Sequence, residues 1–145
     1  MFKSILVPID VAHKSSWQTA IPEAIAMAKA PRGKLAVVTV VRQTTAMLGG
    51  VRSRLQLQGM VNEARGKLSG VLKKYRTDGV KIAEEVRFGS IGQEILSAAK
   101  DQRADLIVMV SHRPEMLDYL IGPNAAHVAT HAKCSVLVLR QKASR

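Results

Sequence analysis

Aromatic side chains make up only 3% of this 145-residue sequence, so a core must come from Val, Ile, Leu, Ala and Met. A single cysteine excludes an internal disulfide and suits a reducing compartment. No apolar run approaches the ~20 residues that span a bilayer, so membrane insertion is not expected. The opening MFKSILVPID has one Lys, a short apolar run and no small-residue cleavage site. It reads as a first strand rather than a secretory signal, and the expected compartment is cytoplasmic. Acidic residues are also scarce: 11 Asp and Glu stand against 22 Lys and Arg, a net charge of +11. That balance favours anionic partners without choosing among nucleotide, nucleic acid and anionic lipid.

What is present alternates between two kinds of segment. SILVPI (Ser4–Ile9), KLAVVTVV (Lys34–Val41), KIAEEVRF (Lys81–Phe88), DLIVMV (Asp105–Val110) and SVLVLR (Ser135–Arg140) are short, and most are near-continuously apolar. Such runs are what strands buried on both faces require. The third is more polar, which suggests an exposed position. Between them, Trp17–Ala30, Leu55–Tyr75, Ile91–Lys100 and Pro123–Ala132 repeat apolar residues at helical spacing. Alternation of this kind predicts an α/β fold, an open parallel sheet with helices on both faces. No linker, internal repeat or low-complexity tract divides the chain, so residues 1–145 read as one domain. Arg42–Arg54, with two Thr and two Gly, is the expected mobile loop. Gly59, Gly66 and Gly70 fall on nearly one face of the second helix, where either a close partner backbone or a solvated, marginal helix would account for them.

In an open parallel sheet, ligands bind beyond the carboxyl ends of the strands, where the strand order reverses. Pro8, Ile9 and Asp10 stand there after the first strand, Val40 and Val41 at the end of the second, and Val110, Ser111, His112 and Arg113 after the fourth. The Asp10 carboxylate is placed either to accept hydrogen bonds from a ribose or base, or to cap the next turn. Gly122 would cap the last helix and Pro123 open it, a position proline favours because that N–H has no helical partner. The N–H groups of Asn124 and Ala125 still point outward, and the helix dipole adds positive potential. His112 and Arg113 would add charge to an anion held there. Gly-Pro-Asn as a plain helix start is the competing reading.

Stronger phosphate signatures are missing: there is no G-x-x-x-x-G-K-[ST], and no G-x-G-x-x-G follows the first strand. His127 and His131 have zinc-pair spacing and Cys134 follows, but the Glu of H-E-x-x-H is lacking, and no metal is expected. Ser111 and His112 are adjacent without an orienting carboxylate, so catalysis is not expected. Arg52, Arg54, Arg65, Lys67, Lys73, Lys74 and Arg76 surround the second helix rather than forming one stripe, which reads as a solvated basic face more than a nucleic-acid site.

ILVPID, VVTVV, VRFGSIGQEIL and the stretch ADLIVMVSHRPEMLDYLIGPNAAHVATHAKCSVLVLR together resemble the universal stress protein family, in particular its short-loop bacterial subgroup. The resemblance implies a five-stranded parallel sheet of order 3-2-1-4-5. It also implies a homodimer formed through the fifth strand, at Val136, Leu137, Val138 and Leu139, and a regulatory role exercised on a protein partner. It further implies ATP or another adenine nucleotide as ligand, with Pro8, Asp10 and Val40 around the adenosine. The phosphate pattern G-x2-G-x9-G-[ST] fits less well. Its first two glycines fall on Val110 and Arg113, eight residues rather than nine separate Arg113 from Gly122, and Pro123 replaces the hydroxyl residue. A family member that takes no nucleotide and works only through protein contacts is the first alternative. A basic nucleic-acid-binding module is the second.

Overall fold

A computed structural model describes residues 1–30, 32–42, 50–111 and 122–140. The elements in chain order are β1 (Ser4–Ile9), α1 (Ala20–Lys29), β2 (Lys34–Arg42), α2 (Gly50–Leu72), β3 (Lys81–Gly89), α3 (Ile91–Asp101), β4 (Leu106–Ser111), α4 (Pro123–His131) and β5 (Ser135–Arg140). A short 3-10 turn, Lys14–Ser16, joins β1 to α1. Every strand pairing is parallel and the sheet order is β3-β2-β1-β4-β5, as the resemblance implied.

The continuous apolar runs are explained by two cores, one on each face of the sheet. Successive side chains in a strand point to opposite faces. Ile5 and Val7 of β1 therefore join Leu35 and Val37 of β2 beneath α1 and α2, where Ile21, Ile25, Leu68 and Val71 close the layer. Leu6, Ala36, Val38, Ile107 and Met109 face the other way, against Ile95 and Ala98 of α3 and Ala125 and Val128 of α4. A one-residue slip in any central strand would exchange the two sets. β3 and β5 are the edges, with side chains mostly half-buried or exposed, which for β3 agrees with its polar sequence.

Two boundaries differ from the spacing-based expectation, each for a physical reason. α1 begins at Ala20 rather than Trp17. A start at Trp17 would put Pro22 in the helix interior, where it lacks a donor and its ring clashes; from Ala20 it falls in the first turn. Trp17 instead follows the 3-10 turn and packs edge-on against Tyr75, at 6.2 Å between ring centroids, with Lys74 Nζ 5.0 Å over its face. The expected loop Arg42–Arg54 is narrower, because Arg42 ends β2 and the chain is helical from Gly50; residues 43–49 lie outside the described part. A Cβ built on Gly59, Gly66 or Gly70 meets nothing within 4 Å, so no other described residue approaches that face.

α1 and α3 end alike. The N–H of Gly33 donates to Ala28 O at 2.8 Å and that of Ala104 to Ala99 O at 2.9 Å. The residue before each, Arg32 or Arg103, is left-handed with φ near 52° and 51°. This is the Schellman closure, made with arginine where glycine is usual. On the edge of the sheet, Arg87 of β3 reaches three carboxylates, Glu85 at 2.6 Å, Glu94 at 3.0 Å and Asp101 at 3.2 Å, which ties β3 to α3. Burial works against the charge on Arg87, but hydrogen bonds to these acids outweigh it and hold the guanidinium above its ordinary pKa. Gly92 lets α4 approach α3: a Cβ there would stand 2.5 Å from Cδ2 of His127.

Candidate functional site

β1 and β4 are neighbours, but the chain leaves β1 toward β2 and enters β4 from β3, so the winding direction reverses between them. At the carboxyl ends of the strands around this point lies a cleft of about 480 Å³, within the usual range for small-molecule sites. Its walls are apolar: Pro8 and Ile9 of β1, Val38 and Val40 of β2, Met109 and Val110 of β4, and Ile91 and Ile95 of α3. The polar residues that line it are Asp10, His13, Arg42 and Asn124, which are exposed, and Ser16, which is buried.

Asp10 is fixed by the turn it starts. Its Oδ1 accepts the N–H of Ala12 at 2.9 Å, and its Oδ2 lies 2.8 Å from Nδ1 of His13. Of the two roles open to it, capping the turn is therefore made in this structure. A carboxylate has about four acceptor positions, so capacity for a ligand remains. Ser16 clamps the same turn from beneath: its buried hydroxyl accepts the N–H of Asp10 at 2.9 Å and shares its proton between Asp10 O and His13 O. Those bonds are all to main chain. The Asp10 carboxylate orients the His13 imidazole through Nδ1.

The start of α4 contributes less than its position suggests. Gly122 N–H donates to Ser111 Oγ at 3.3 Å, and Pro123 has no N–H. Ala126 N–H is taken by Gly122 O at 2.9 Å. The N–H groups of Asn124 and Ala125 bond to no other described residue, as is usual for the first turn of a helix.

Of the residues singled out from the sequence, Pro8, Ile9, Asp10, Val40, Val110 and Asn124 line the cleft together. Ser111 and Gly122 bond to each other at the junction of β4 and α4. Pro123 is exposed, and Ala125 turns its methyl into the core. His112 and Arg113 lie outside the described residues. The sequence reading missed His13, Ser16, Val38, Arg42, Ile91, Ile95 and Met109. For Arg42 a signal existed, since it is the first charged residue past a buried strand, as Asp10 is past β1. The zinc-like spacing resolves differently: the rings of His127 and His131 stack at 4.4 Å with a 32° tilt, and His131 Nδ1 lies 2.9 Å from His127 O. Among the described residues, no three His, Cys, Asp or Glu side chains come together to hold a metal ion. Among them, too, no helix is long and apolar enough to cross a membrane.

Comparison with known proteins agrees with this architecture. Residues 1–140 match the universal stress protein family. Universal stress protein G of Shigella flexneri is 36% identical over 70 residues, 48% of this chain and 49% of that protein, so the chain spans about half the length of that relative. Among solved structures, hypothetical protein MJ0577 superposes with a TM-score of 0.85 at 23% identity, covering 99% of each chain. A universal stress protein family protein of Arabidopsis thaliana, solved with AMP bound, superposes with a TM-score of 0.64 at 17% identity, covering 97% of this chain and 93% of its own. At these identities the structural likenesses establish the fold; the match over residues 1–140 establishes that the chain belongs to the universal stress protein family.

Proposed function

We propose that this protein is a non-catalytic stress-response regulator that binds an adenine nucleotide in the cleft at the carboxyl ends of β1, β2 and β4. One observation carries the reading: an apolar slot of about 480 Å³ with a few polar groups at its mouth stands at the switch point of the sheet. A purine would fill the slot between the side chains of β1, β2, β4 and α3. Asp10, held rigid by Ala12, His13 and Ser16, would accept a ribose hydroxyl. Phosphate would face the N–H groups of Asn124 and Ala125 and the Arg42 guanidinium, which has no ion pair to another described residue. The AMP-bound Arabidopsis relative supports the choice of ligand class. Occupancy would change the surface around Arg42 and Asn124 that is offered to a regulatory protein.

With so few phosphate donors, most of the affinity should come from the nucleoside. Calorimetry on ligand-stripped protein should then give AMP, ADP and ATP affinities within about tenfold of one another, a spread of about 1.4 kcal/mol. Absence of heat with all three up to millimolar concentration would overturn the proposal. That outcome would favour a family member acting through protein contacts alone, for which the engaged Gly122 N–H and the missing Pro123 N–H are the supporting observations. We also propose a homodimer through β5, whose outer edge is unpaired among the described residues and whose Val136, Leu137, Val138 and Leu139 are half-buried.

A further inference from the structure

The amino ends of the strands carry a second concavity, separate from the proposed nucleotide cleft. Between the C-terminal turns of α3 and α4 lies a pocket of about 450 Å³. Leu96, Ala99, Ala104 and Ala132 supply its apolar lining, with Ser97, His131 and Cys134 beside them. Lys100, Arg103 and Lys133 surround the opening. None of these three cations makes an ion pair with another described residue.

The acids beside them in the chain are already engaged. Asp101 pairs with Arg87 at 3.2 Å, and Asp105 accepts the N–H groups of Lys3 and Ser4 at 2.9 and 3.0 Å. Helix C-termini ordinarily repel anions through free carbonyls. Here several are closed: Ala98 O, Ala99 O and Lys100 O accept the N–H groups of Gln102, Ala104 and Arg103, and Val128 O accepts that of Ala132. What remains is three cations without an ion pair to another described residue beside an apolar lining, with the charge of Asp105 reaching Cys134 on the same side.

That combination selects its occupant. A second copy of the chain in a two-fold contact here would bring the same three cations to the rim. Nucleic acid offers phosphates but no aliphatic body for the apolar lining. We infer that the pocket binds a small amphipathic anion, an aliphatic chain ending in one carboxylate, with the chain on the α3–α4 lining and the head among Lys100, Arg103 and Lys133.

Cys134 is the only cysteine, so its alkylation reports on the pocket directly. Iodoacetamide labelling should slow saturably with decanoate held below its micelle-forming concentration. Along hexanoate, octanoate and decanoate, affinity should rise by up to about fourfold per methylene. Decan-1-ol, which lacks the charge, should protect at least tenfold less well. The surface triple variant Lys100→Gln/Arg103→Gln/Lys133→Gln should lose the preference for decanoate over decan-1-ol. Calorimetry with decanoate measures the same binding without the thiol, and saturating AMP should leave it unchanged. The inference is overturned if decanoate gives neither protection nor heat, if decan-1-ol equals it, or if the triple variant binds it as well. It is overturned equally if AMP, an oligonucleotide or raised protein concentration alone protects Cys134. Failure of AMP to bind the cleft would leave this result standing.

Discussion

Substituting Gly92 with alanine should reverse its effect according to what occupies position 127. The added Cβ would lie 2.5 Å from Cδ2, 3.1 Å from Cγ and 3.3 Å from Nε2 of His127. That is about 1 Å inside ordinary carbon contact. The His127 ring cannot turn aside without giving up its stacking on His131 at 4.4 Å, so the strain falls on the α3–α4 contact. Overpacking of this kind costs about 1–3 kcal/mol. Alanine returns up to about 1 kcal/mol of helix propensity, less here because Gly92 is in the first turn. The net expectation is destabilisation by about 1–2 kcal/mol. In a His127→Ala background the obstacle is gone, and Gly92→Ala should be neutral or stabilising by up to about 1 kcal/mol. The coupling, about 2 kcal/mol, exceeds the ~0.5 kcal/mol within which independent sites add. Urea unfolding of the four variants of the cycle measures it. The sole tryptophan, Trp17, is 5% exposed and provides the fluorescence signal, and far-UV circular dichroism tests that the transition is two-state. Equal effects of Gly92→Ala in both backgrounds, to within about 0.5 kcal/mol, would refute the reasoning.

On α2, Gly66→Ala adds a methyl that meets nothing within 4 Å and should stabilise by about 1 kcal/mol in the same assay; a loss of stability would show that another molecule packs on that face. Burial, assisted by the charge of Asp105 and opposed by a backbone hydrogen bond, pushes the Cys134 thiol above its ordinary pKa. Its alkylation rate should therefore reach half-maximum at a higher pH than that of a cysteine in an unfolded peptide. The folded state holds this proton more tightly, so the stability Cys134 contributes is present below the unfolded thiol pKa of about 8.5 and lost as pH rises through the folded value. Relative to Cys134→Ala, urea stability should fall above that pH, and a flat difference would contradict the assignment.

The strands were legible because burial on two faces leaves an uninterrupted apolar record, and SILVPI and SVLVLR match β1 and β5 to the residue. Helix starts were less legible: Trp17 fits the apolar spacing of α1, and only the proline five residues on shows that the helix begins later. Part of the cleft lining could be inferred from sheet topology, which brought Pro8, Asp10 and Val40 together. Ile91 and Ile95 escaped notice because their spacing is that of any core-facing helix, and nothing in it marks side chains that also wall a cavity. His13 joins the site through the turn that Asp10 caps, a contact set by local hydrogen bonds rather than by periodicity. Arg42 was hidden by being assigned to the loop it borders.

The bond from Gly122 N–H to Ser111 Oγ fastens the last residue of β4 to the residue that caps α4. The two ends of the interval between them are thus held to each other within the scaffold. The interval's entropy of closure grows only with the logarithm of its length, by about 0.6 kcal/mol per doubling. Residues can be gained or lost there while Asn124 keeps its place at the mouth of the cleft. An interval one residue shorter than the family's phosphate pattern is then a change in the insert, and the frame that receives it stays the same.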